Sequence, residues 1–69
     1  MARETVSRLM RAMKSLSRDA RMVCELRFFD DLSIDEIAET LRMNPETVKS
    51  HIRRSRIFLR QALKDEEEV

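Results

Sequence analysis

The chain has 69 residues, one Cys, one His and a formal net charge of +1. That leaves room for one small domain, with no internal disulfide and no paired Cys/His spacing for a structural zinc. No apolar run approaches the ~20 residues of a membrane span, and the start Met-Ala-Arg-Glu-Thr-Val lacks the apolar block of a secretion signal, so a cytoplasmic protein is expected. With no Gly, one Pro, 42% hydrophobic and 39% charged residues, stability must come from helix packing, and the composition suits an ordered core rather than a disordered tail. Leu, Met, Ala, Arg, Lys and Glu dominate, all good helix formers. The expectation is one all-α domain over 1–69, four helices with a C-terminal helix-turn-helix and an acidic, frayed end at 65–69.

Val6, Leu9, Met10 and Met13 recur at helical spacing and predict a first helix ending near Ser15 or Leu16. Ser17 is a fair N-cap for the second, with Asp19 in its first turn. Met22, Val23, Leu26 and Phe29 form the apolar face of that helix, and Ala20 and Cys24 widen the arc, so it should sit centrally between neighbours. Asp30-Asp31-Leu32 breaks the pattern.

Ser33-Ile34-Asp35-Glu36 is a capping box: the Ser hydroxyl accepts from the Glu36 amide while the Glu36 carboxylate accepts from the Ser33 amide. A short third helix follows, with Ile34, Ile37, Ala38 and Leu41 on one face. Arg42-Met43 connects it to Asn44-Pro45, where Asn caps and Pro sits at the first helical position. The fourth helix is predicted from about Pro45 to about Lys64. Its apolar stripe is Val48, Ile52, Leu59, Ala62 and Leu63, with the small Ser55 in line.

The near-neutral total hides a basic helix. Between Asn44 and Arg60 there are five cations, Lys49, Arg53, Arg54, Arg56 and Arg60, against one acid, Glu46. A short helix, a three-residue connector and a longer helix with a cationic outer face make a helix-turn-helix suited to duplex DNA. Thr47, Ser50 and Arg54 carry groups that can bond base edges, while Lys49, Arg53 and Arg56 can reach phosphates on the groove walls. The start of the third helix, at Leu32-Ser33, presents amides and a positive dipole end to another phosphate. The competing reading is an amphipathic helix with a solvated basic face.

Three stretches in order resemble region 4 of bacterial sigma factors, closest to the extracytoplasmic-function type. They are Leu16 to Ser33, Ile34-Asp35-Glu36-Ile37-Ala38-Glu39-Thr40-Leu41, and Thr47-Val48-Lys49-Ser50-His51-Ile52-Arg53-Arg54-Ser55-Arg56 with Leu59-Arg60 and Leu63. The resemblance implies recognition of the promoter −35 element as duplex DNA, docking on the flap of the RNA polymerase beta subunit, and in regulated members an anti-sigma partner. It implies that Lys49, Ser50 and Arg54 face the −35 bases or their phosphates, and that Arg21 and the Leu32-Ser33 start contact the DNA backbone. The family usually has Pro where Ser17 stands and Gly where Glu46 stands. Glu46 suits the helix dipole but repels a nearby phosphate. The family's region 2, which opens the promoter, has no counterpart here, so this chain alone could not melt DNA. A LuxR-type output domain is the main alternative, since Thr47-Val48-Lys49-Ser50-His51 fits it as well. A helix-turn-helix used only for protein interaction is another.

The other polar and sulfur-bearing residues read as structural. Cys24, among apolar neighbours, is expected to be a core thiol. His51 belongs at the groove edge or in solvent, and the Met residues chiefly fill the core. Ile57 lies opposite the Val48/Ile52 stripe and Phe58 to one side, so the pair is a candidate partner-docking patch or packs on the first helix. No cofactor, metal or catalytic constellation is expected, and the chain is not read as an enzyme.

Overall fold

The computed structural model describes residues 3–67, with side chains described for 6–64. Among these residues there are four α-helices and no strand: α1 Arg3–Met13, α2 Arg18–Cys24, α3 Ile34–Leu41 and α4 Pro45–Glu67. A π-helical turn, Glu25–Phe29, continues α2 without a gap. The all-α, four-helix expectation with α3 and α4 as the helix-turn-helix therefore holds.

Each boundary has a local cause. The last turn of α1 tightens into bonds three residues long, from the Lys14, Ser15 and Leu16 amides to the Arg11, Ala12 and Met13 carbonyls, which satisfies carbonyls left over at a helix end. Ser17 then caps α2, its hydroxyl accepting from the Ala20 amide at 3.2 Å. The capping box at α3 is complete: Ser33 Oγ accepts from the Glu36 amide at 3.1 Å and Glu36 Oε1 from the Ser33 amide at 2.9 Å.

At the end of α3 the Met43 amide donates to the Ala38 carbonyl at 2.9 Å and the Arg42 amide to the Glu39 carbonyl at 3.4 Å. This is a Schellman closure, and it forces the intervening residue into the left-handed region. In a chain without Gly that residue is Arg42, at φ 55°. Asn44 opens α4 by accepting the Glu46 amide at 2.8 Å on its side-chain oxygen. α4 continues three residues past the expected Lys64, because nothing from Gln61 to Glu67 breaks a helix. Of the 65–69 tail expected to be frayed, 65–67 are helical, and 68–69 lie outside the described residues.

Two apolar clusters hold the helices together. Val23, Ile37, Ala38, Val48 and Ile52 lock α2, α3 and the first half of α4, with Leu26, Leu32, Ile34, Leu41 and Met43 around them. Met13, Cys24 and Leu59 join α1, α2 and the second half of α4, with Leu9, Ala12 and Leu16 alongside. α2 is the shared wall between the clusters, which accounts for its broad apolar arc. Val23, Cys24, Ile37 and Val48 are wholly buried; each such aliphatic side chain contributes roughly 1.5–3 kcal/mol.

Two expected core positions are corrected. Phe29 is 51% exposed, and Phe28 beside it 39%. The cause is the π-turn: the Asp30 amide reaches back five residues to the Glu25 carbonyl, and the Leu32 amide to the Leu26 carbonyl. A wider turn rotates each residue by less than an α-helix does, so extrapolating the Met22–Leu26 stripe at α-helical spacing misplaces Phe29. Met10 is 56% exposed although Met13 is buried, because α1 rests chiefly on α4 and one contact face covers a narrow stripe.

Candidate nucleic-acid interface

α4 places the candidate surface. Val48, Ile52, Ser55 and Leu59 are buried along its inner side, and this pins the helix to α2 and α3. On the outer side Thr47, Lys49, Arg53, Arg54 and Arg56 are exposed, while Ser50 and His51 are half-buried. The helix is unbroken from Pro45 to Glu67, with Lys49 lining a groove along one flank and Arg54 a groove along the other. Ser55 is the buried polar group of the inner stripe, and no buried side-chain nitrogen or oxygen among the described residues is left unbonded.

Two grooves border this surface. The first is strongly cationic: Lys49, Arg53, Arg56 and Arg60 from α4 and Arg27 from the π-turn surround Ile34, Ile52 and Ile57. Arg27 also donates from Nη1 to the Leu32 carbonyl at 2.9 Å, tying the π-turn to the loop before α3. The second groove, on the other flank, is lined by Ser15, Leu16, Ser17, Ala20, His51, Arg54, Ser55 and Phe58. His51 thus sits at the edge of the cationic face.

Several candidates already have partners. Lys49 Nζ lies 3.3 Å from Glu46 Oε1, with both side chains open to solvent. An ion pair so exposed holds Lys49 weakly, so a phosphate can displace the carboxylate at small cost. Arg54 Nε donates to the Ser50 carbonyl at 3.4 Å, which ties the exposed guanidinium group back to its own helix.

The start of α3 offers less than expected. The Leu32 amide is spent on the Leu26 carbonyl and the Ser33 amide on Glu36. Of the four donors a helix start leaves over, the capping box takes those of Ser33 and Glu36; the amides of Ile34 and Asp35 remain for a phosphate. The Ser33 amide and hydroxyl hold the Glu36 carboxyl below the usual glutamate range, so a negative charge stays beside that helix start.

The structure does not bring every candidate together. Arg21 lies in a groove with Met10, Met13, Lys14, Glu25 and Phe29, which no α4 residue lines. Ile57 and Phe58 face different grooves and do not form one patch. Sequence reasoning missed Arg27, which joins the α4 cations only once α2 has crossed α4. It also missed an apolar groove of Val6, Leu9, Phe28, Phe29, Leu59 and Leu63, edged by Arg56 and Arg60; nothing in the local pattern signals the π-turn that aims the two Phe side chains there.

Burial pushes the Cys24 thiol up, a hydrogen bond with Ser55 pulls it partly back, and Glu25 adds to the rise. A buried neutral thiol is chemically quiet. Among the described residues no group of three His, Cys, Asp or Glu could hold a metal, and no helix is long and apolar enough to cross a membrane.

Comparison with curated proteins and with solved structures gives no match. A family model, described as sigma-70 region 4, matches residues 7–59. That span starts in α1 and ends at Leu59 in α4, so it takes in both core clusters, all of α3 and α4 as far as Leu59. With this architecture beneath a cationic α4, the chain belongs to the sigma-70 region 4 family, whose members are the DNA-binding, promoter-recognising domains of sigma factors.

Proposed function

We propose that this chain is the −35 recognition domain of an extracytoplasmic-function type sigma factor acting in the cytoplasm. In this reading Thr47, Ser50 and Arg54 reach base edges in the major groove, and Lys49, Arg53 and Arg56 hold flanking phosphates. His51 stands at the groove edge, and Arg21 and the start of α3 meet the backbone further out. The observation that carries the reading is the open, cationic outer face of α4, backed by a helix buried against its support.

The second half of the reading is a protein contact. The apolar groove between α1, the π-turn and α4 leaves Phe28 and Phe29 open to solvent, and exposed aromatics grouped in this way suit a protein partner. We assign that groove to the flap of the polymerase beta subunit. An anti-sigma protein would then act by covering either surface.

The test is selection from randomised duplex DNA with the purified chain, read at two salt concentrations. A single enriched element, bound less tightly at high salt with a log–log slope of about −0.9 per phosphate contact, is the expected result. No enrichment and no DNA complex at low salt would end the DNA-recognition reading and leave a protein-interaction module.

A further inference from the structure

Ile57 is 63% exposed, more than any other large hydrophobic side chain described. The open aromatics near α1 have apolar company: Phe28 and Phe29 line a groove with Val6, Leu9 and Leu63. Ile57 instead lies in the groove with Lys49, Arg53, Arg56 and Arg60, above the more buried Ile34 and Ile52. On the helix it follows Ser50 by seven residues and Arg53 by four, so all three share one outward strip. A ligand for this strip must offer negative charge to the cations and an apolar group to the isoleucine.

Duplex DNA offers both. Its phosphates match the arginines, and the apolar group it displays in the major groove is the C5-methyl of thymine. Seven residues of α4 rise about 10.5 Å, which is about three base-pair steps of about 3.4 Å. We infer that Ile57 is a specificity-determining residue that packs on a thymine methyl about three base pairs from the pair met by Ser50. This rests on the DNA-recognition reading above and adds one readout position to it. The geometry requires α4 to lie along the groove rather than enter end-on.

The experiment uses the whole chain and the duplex that selection yields. Each thymine is replaced in turn by uracil, which removes one methyl and keeps the base pairing. The native chain should lose affinity about fourfold at one position, the worth of one buried methyl-sized group, and little elsewhere. Ile57→Ala should bind the thymine duplex about as weakly as the native chain binds the uracil one, and should no longer distinguish the two. Because Ile57 is solvent-exposed the variant should keep its fold, which a thermal melt checks; Ile57→Val should keep part of the methyl sensitivity. A methyl effect of equal size in Ile57→Ala, or none at any thymine of a tightly bound element, overturns the inference while leaving DNA recognition intact. Failure to enrich any element removes both together.

Discussion

Arg42 holds a left-handed backbone, φ 55° and ψ 47°, in a chain with no Gly at all. A side chain with a Cβ costs about 1–2 kcal/mol in that region. Arg42→Gly removes this cost, and the freer unfolded chain returns about 0.4–1 kcal/mol of it. Taking the middle of each range, the net expectation is a gain of about 0.8 kcal/mol, or a rise in Tm of about 3–6 °C for a domain this small. The Schellman bonds from Met43 and Arg42 use backbone atoms only, so they survive the change. Urea and thermal unfolding followed by circular dichroism measure it. Arg42→Ala is the control: it keeps the Cβ and drops the charge, so it should stay within about 0.5 kcal/mol of the native chain. Equal gains from Ala and Gly would show that charge, not the dihedral, set the cost, and no gain from Gly would refute the strain argument. Asp31→Gly, at φ 57°, should gain less, since Asp tolerates this region better than Arg.

Ile37 is wholly buried where α3 meets α2 and α4, so Ile37→Ala should cost about 2–5 kcal/mol out of a total of about 3–10 kcal/mol; a urea midpoint near the native value would deny α3 its role as the support of α4. Arg54→Ala should weaken specific binding by about 1–3 kcal/mol and relax preference at one base pair, seen as a changed element in repeat selection. Lys49→Ala should lower affinity for all sequences and reduce the salt slope by about one; a loss confined to one base pair would make Lys49 a base reader instead. The Glu36 carboxyl titrates below the usual range when folded, so its contribution is full above the unfolded value of about 4.3 and is lost as pH falls through the lower folded value. Glu36→Gln should flatten that acid limb, measured as unfolding midpoint against pH, and should change little at neutral pH.

Much of this fold is local chemistry and could be read in the chain. The Ser17 cap, the Ser33/Glu36 box, Asn44-Pro45 and the stripe from Val48 to Leu59 depend on groups two to four residues apart, and those spacings are written in the sequence. The cationic outer side of α4 follows from the same periodicity once the inner stripe is known. The resemblance across three ordered motifs then pointed to the family that the match over residues 7–59 shows.

Packing decided the rest. The π-turn widens α2 beyond α-helical spacing, so Phe29, which periodicity assigns to the core, joins Phe28 in an apolar groove against α1. Arg27 meets Lys49 and Arg53 only after two helices have crossed, and Arg42 becomes left-handed only because the Schellman closure has no Gly to use. Ile57 and Phe58, adjacent in the chain, part into separate grooves because neighbouring residues on a helix point about 100° apart. A sequence records what each residue does with neighbours within one helical turn; which distant side chains share a groove depends on how the helices cross, and only the folded chain settles that.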